Sequence, residues 1–164
     1  DAGRGMNPGL VMYEEEFRKI SGICDRLTRD AGAKVVFLVD KNGQLIAASG
    51  QSQNLDTTSL ASLTAGNVAA MGGLAKLIGE NEFPSQFHEG ERESLHMSIV
   101  AGKVVLVVIF DARSSLGLVR LRVKKASEEL GRVFEQLSVR QAAPGARSPL
   151  AEITDDDIDN LFSA

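Results

Sequence analysis

Leu60–Ile78 reads LASLTAGNVAAMGGLAKLI, and the rest of the chain is laid out around it. At 100° per residue Leu60, Leu63, Met71, Leu74 and Ile78 fall on one side, the spacing of an amphipathic helix. If the opposite side met only water it would be charged. Instead it holds Ser62, Ala65, Gly66, Ala69 and Gly73, with the single charge of Lys76 near the end. Each of Gly66, Gly72 and Gly73 costs a helix interior roughly 1 kcal/mol relative to alanine, so a freely solvated helix would gain by replacing them. Two readings explain the bare backbone. Either other helices or a partner protein lie directly on Ala65, Ala69 and Gly73, or the chain's own elements cover the small face. Dimer packing and partner docking can share it.

Upstream, Phe17, Ile20, Ile23, Cys24 and Leu27 recur at three and four, which predicts a first helix from Met12 to Asp30 closed by Gly32. Glu14 to Glu16 in its first turns complement the helix dipole. Lys34–Asp40 (KVVFLVD) and Gln44–Ser49 (QLIAAS) flank Lys41-Asn42-Gly43, and Asn-Gly between apolar runs is a hairpin signal because such turns need positive φ. Gly50–Asn54 is a polar loop, after which Asp56, Thr57 or Ser59 can cap the central helix.

Downstream, Phe83–Glu89 (FPSQFHE) contains Pro84, which cannot donate to a ladder and marks an edge strand or its entrance. Ser94–Ala101 alternates, with Leu95, Met97 and Ile99 facing one way and Ser94, His96 and Ser98 the other. Gly102-Lys103 turns the chain into Lys103–Phe110 (KVVLVVIF), apolar on both sides as a central strand would be. A long helix then starts at Ser114 or Ser115 and runs to about Val139, with Arg120, Arg122, Lys124, Lys125 and Arg132 mostly off its apolar stripe as a solvated basic face. The order predicts an antiparallel five-stranded sheet with helices on both faces, an α+β sandwich.

Residues 1–10 read as a linker segment or fragment boundary, 11–139 as one domain, 140–149 as a flexible linker rich in Ala, Gly and Pro, and 150–164 as a tail. In the tail Thr154-Asp155-Asp156-Asp157 resembles a capping box, and Ile158, Leu161 and Phe162 form a small apolar face. So short a helix does not hold alone in water, so the tail is either disordered or a helix that docks on a partner.

The net charge of −4 and the near absence of stacking aromatics, with no Trp and one Tyr, argue against nucleic acid as the main partner. Cys24 is the only cysteine, which excludes an intrachain disulfide and fits a reducing, cytoplasmic setting. No apolar run approaches the roughly 20 residues of a membrane span, and the opening residues lack the pattern of a signal peptide. The glycines from Gly66 to Gly73 have no Lys-Ser or Lys-Thr in phosphate-loop register and sit in mid-helix, where the amides are already engaged. His88 and His96 have no carboxylate or cysteine at ligand spacing. The aspartates of the tail lack the glycine and final glutamate of a calcium loop. No nucleophile elbow is present. The expectation is a chain with no cofactor, no metal and no active site of its own.

The run VVFLVDKNGQLIAASG, then LASLTAGNVAAMGGLAKLIGE, then VVLVVIFD resembles the roadblock / dynein light-chain family over about Glu15 to Leu137. MYEEEF, FHEGERESLHMSIV and the tail EITDDDIDNLF resemble a bacterial branch of that family. The resemblance implies a sheet flanked by one helix on one face and two on the other. It also implies a homodimer joined through the third strands near Phe83–Glu89, with Phe83, Phe87 and His88 at the interface and the second helices side by side. It implies a GTPase-activating protein for a small Ras-like bacterial GTPase, two protomers to one GTPase, controlling front–rear polarity and motility from the cytoplasm with enrichment at a cell pole. Ser62, Ala65, Gly66, Ala69, Gly73 and Lys76 would then form the GTPase-docking layer, and Ile158, Leu161 and Phe162 would anchor the tail on it. Arg113, between the last strand and the last helix, is the only arginine at a loop that invites comparison with an inserted arginine that stabilises phosphoryl charge. The resemblance implies instead that the GTPase is reshaped until its own arginine and glutamine reach the nucleotide. The alternative is a passive dimeric scaffold that recruits a GTPase or motility complex.

Overall fold

The computed structural model describes residues 13–142. In chain order the elements are α1 (Glu14–Asp30), β1 (Val35–Asp40), β2 (Leu45–Gly50), α2 (Thr57–Leu77), β3 (Ser85–Glu89), β4 (Glu93–Val100), β5 (Val104–Asp111) and α3 (Leu116–Ala142). The strands form one antiparallel sheet in the order β2-β1-β5-β4-β3. It is an α+β sandwich with two helices on one face and one on the other, as expected.

Turn chemistry sets the strand order. Between β1 and β2 the Gly43 amide donates to the Asp40 carbonyl at 3.0 Å, and the buried Asp40 carboxylate accepts from the Asn42 and Gln44 amides at 2.9 and 3.0 Å. Only Gly43 in this turn takes positive φ, at 92°, so one residue rather than two supplies the left-handed step. The β4–β5 turn is the opposite case: Ala101 and Gly102 both have positive φ, 55° and 66°, and the Lys103 amide donates to the Val100 carbonyl.

The core lies on both sides of β1 and β5. Val36 and Leu38, with Val104, Leu106, Val108 and Phe110, meet Ile20, Ile23, Cys24 and Leu27 of α1 and Val119, Val123, Leu130 and Phe134 of α3. The other set, Val35, Phe37, Val39, Val105 and Val107, meets Ala61 of α2 and Met97 of β4. Burial on both faces explains why β1 and β5 read as nearly continuous apolar runs. Cys24 is fully buried, and desolvation, with the neighbouring Asp25 charge, pushes its thiol up to about 12.

Helix ends follow local signals at three places, two of them, Gly32 and Asp56, expected from the sequence. Gly32 (φ 62°) and Gly79 (φ 85°) close α1 and α2 with paired backbone bonds, Ala33 to Thr28 and Glu80 to Ala75. Asp56 caps α2, accepting from the Ser59 amide at 3.0 Å. The last helix differs: it continues past Val139 to Ala142, taking residues that read as linker. Arg140 explains the extension, since it pairs with the buried Glu16 at 2.8 Å and lies 3.8 Å from the Tyr13 ring centre, tying the end of α3 to the start of α1. Glu16 therefore does more than complement a dipole.

Candidate functional site

The side of α2 that reads as its core face is largely not its core face. Leu60 and Met71 are half-buried, but Leu63 is 71% exposed, Leu74 47% and Ile78 65%. The fully buried residues of α2 are Ala61, Thr64 and Ala75. Phe37, Met97, Val105 and Val107 already fill the layer beneath, so the helix approaches by its small side chains and turns its large ones outward. Periodicity finds a helix and its two sides; the bulk of the sheet decides which side is down.

Two parallel strips are consequently open to solvent. Ser62, Gly66, Ala69 and Gly73 form one at spacings of four, three and four, with Lys76 at its end. Beside it run Leu63, Ala70, Leu74 and Leu77, the last 84% exposed. A Cβ added to Gly66, Gly72 or Gly73 would meet nothing of the chain within 4 Å. Coverage of these glycines by the chain's own elements is thus overturned for the described residues. Ala65 differs: it is half-buried, because the β1–β2 turn comes up against the helix, and a Cβ on Gly43 would stand 3.6 Å from the Ala65 Cβ and 3.5 Å from the Ser62 Cα.

That turn is a border of the face which the sequence pattern does not reveal. Its only signal is Gly43, which reads as a turn residue and not also as a point of close approach. Lys41 extends the border by pairing with Glu82 at 3.3 Å.

The other expected residues belong to other segments of the chain. β3 is an outer strand, bonded to β4 alone, and Ser85 opposes Ser98 while Glu89 opposes Ser94. His88 is exposed on it and Phe83 half-buried just before it. Phe87 turns inward instead, stacking on Phe110 with ring centres 6.2 Å apart, so much of its surface is committed within the chain. Ile158, Leu161 and Phe162 lie outside the described residues.

Arg113 is held rather than free. Its guanidinium makes bonds of 3.0 to 3.2 Å to both carboxylate oxygens of Asp111, whose carboxyl is held below the usual range by the Arg113 side-chain and backbone hydrogen bonds. The same bonds raise the Arg113 guanidinium. A second exposed arginine, Arg92, lies in the β3–β4 turn. His96 is buried on the α3 side of β4, its ionisation lowered by burial and then by Arg120.

A meander sheet in this order, with one half-open helix on one face and two sealed together on the other, defines a roadblock-type sandwich. The chain belongs to the Roadblock/LC7 domain family, whose profile matches residues 19–110. It is similar to MglB of Myxococcus xanthus, with 78% identity over 78% of this chain and 96% of that one and a TM-score of 0.75. It is also similar to the gliding protein MglB of Thermus thermophilus, with 34% identity over 80% of this chain and 99% of that one and a TM-score of 0.74. An uncharacterized protein of Methanocaldococcus jannaschii is 31% identical over 70% of this chain and 96% of its own length. No helix among the described residues is long and apolar enough to cross a membrane.

Proposed function

We propose that this chain acts as a homodimer that binds a small Ras-like GTPase of MglA type through the open face of α2 and accelerates its hydrolysis of GTP, and so takes part in polarity and motility control. The observation that carries the reading is the pair of strips on α2. Glycine on a solvent-facing helix costs stability in the isolated chain, and the adjoining leucines expose apolar surface that association would bury at about 25 cal/mol per Å². The 78% identity to Myxococcus xanthus MglB supports the same assignment.

In this reading two protomers pair through the outer edges of β3 and set their α2 helices side by side, and the joint platform receives one GTPase. Ser62, Gly66, Ala69, Gly73 and Lys76 form the contact, with Ala65 at its margin beside the β1–β2 turn. The tail residues Ile158, Leu161 and Phe162 add a second grip. The chain supplies no group to the reacting phosphate; Arg113 is spoken for by Asp111. The dimer binds the hydrolysis-competent conformer of the GTPase more tightly than the others, which shifts its population, and the GTPase's own arginine and glutamine do the chemistry.

Phosphate release from an MglA-type GTPase, measured with the wild-type chain and with Ala69→Arg and Gly73→Arg, tests this. The wild type stimulates release; each variant, dimeric by ultracentrifugation, does not. Normal stimulation by both variants would reject the face, and binding without stimulation by the wild type would make the chain a scaffold.

A further inference from the structure

The face opposite α2 carries charge that the proposed function leaves unused. A groove between α1 and α3 has one stretch of about 340 Å³ and another of about 50 Å³. The bases Arg18, Lys19, Arg26, Arg122, Lys125 and Arg132 line the two, against the acids Asp30 and Glu129. Arg18 and Lys19 are paired with Glu14 and Glu15 and Arg26 with Glu129. Among the described residues no acid lies within ion-pair distance of Lys125 or Arg132. Ile23 and Val133 form an apolar floor, and at Gly22 the α1 backbone is bare.

A positive groove in a chain of net charge −4 requires that the acids be gathered elsewhere. They are: residues 150–164 hold Glu152, Asp155, Asp156, Asp157 and Asp159 and no base, while the rest of the chain has one more base than acid. We infer that, while no GTPase is bound, Glu152–Phe162 rests in the α1–α3 groove of its own chain, its aspartates against Lys125 and Arg132 and Ile158, Leu161 and Phe162 on the apolar floor, and that it leaves the groove when the same three residues grip the GTPase. Reach permits it. From Ala142 the α3 axis runs back roughly 15 Å to Arg132 and 25 Å to Lys125, and the seven residues 143–149 can reach at most roughly 25 Å. Such a tether gives an effective concentration in the millimolar range, so a contact of about millimolar intrinsic affinity is occupied.

The buried Cys24, its thiol raised to about 12, leaves Ser163→Cys as the reactive position for a spin label on the full chain. With no GTPase present and at low salt, the amide signals of Gly22, Arg26, Lys125 and Arg132 in the labelled chain should be lost. At about 1 M salt, where screening acts over roughly 3 Å, they should return. Lys125→Glu with Arg132→Glu should restore them at low salt, and adding Asp156→Lys with Asp157→Lys should remove them again. Loss of signal on α2 instead, or loss seen only between differently labelled chains, would overturn the assignment. So would no loss at all; binding to phosphatidylserine vesicles would then give the groove to a lipid surface. None of these readouts involves a GTPase, so failure here leaves the activation assay to stand or fall by itself.

Discussion

Gly66→Ala combined with Gly73→Ala separates what the fold needs from what a partner needs. Neither added methyl meets anything of the chain within 4 Å, so the exchange acts through helix propensity alone, roughly 1 kcal/mol at each position and about 2 kcal/mol for the pair. For a domain of this size that raises the melting temperature by about 6–10 °C. Against a closely apposed partner the same methyls overpack, at a cost of about 1–3 kcal/mol, and complex affinity falls roughly 5- to 150-fold. Urea unfolding at two protein concentrations, which separates folding from association, is paired with GTP-dependent phosphate release. Gly131→Ala serves as control: it lies in α3 across the sheet, and its added Cβ also meets nothing. It should stabilise to a similar degree and leave stimulation unchanged. A more stable double variant that stimulates normally would refute the claim that a partner reads the bare backbone, and a less stable one would show that the fold itself needs it.

Two further outcomes concern the framework that holds the platform. Ala101 sits at φ 55° in the β4–β5 turn, a conformation asparagine tolerates better than alanine; Ala101→Asn should raise stability by about 1 kcal/mol in urea unfolding, and a loss would contradict the turn geometry. His96 is kept neutral in the folded chain because its ionisation is lowered from 6.5, first by burial and then by Arg120. The unfolded chain takes up the proton as pH falls through 6.5 and the folded one only at lower pH, so stability present above 6.5 is lost as pH drops toward the lowered folded value. His96→Gln should flatten that part of the stability–pH curve, and an unchanged slope would exclude His96 as its source.

Most of the fold was legible because its signals are local. Gly32 closes α1, Asp56 caps α2, the Asn42-Gly43 turn makes the first hairpin, and the doubly apolar Lys103–Phe110 run is the central strand. What was not legible depends on residues far apart. The extension of α3 needs Arg140 to find Glu16, 124 positions away. The orientation of α2 depends on how much space Phe37, Met97, Val105 and Val107 leave, which no periodicity within Leu60–Ile78 encodes. The inward turn of Phe87 likewise depends on Phe110 across the sheet. The candidate face was found by residue type, while its border at Lys41–Gly43 was not, since a turn's neighbours are not written in the turn.

The orientation of α2 also bears on why the candidate face should be an interface. Fully burying a leucine or isoleucine stabilises by about 1.5–3 kcal/mol, yet Leu63, Leu74, Leu77 and Ile78 are largely outside, beside glycines that each cost roughly 1 kcal/mol. In the lone chain the helix therefore forgoes several kcal/mol, a sizeable share of the roughly 5–15 kcal/mol that holds a typical domain folded. The two losses differ in kind. Exposed leucines are recovered by any body that covers them, whereas a missing Cβ is recovered only by a backbone or side chain that comes close enough to use the gap. A face that combines both favours a partner that lies flat on the helix, and a second copy of α2 alongside doubles the width of the strip it can cover. Substitutions at the leucines should accordingly weaken every association of this face, while those at the glycines should discriminate between partners by how closely each one approaches.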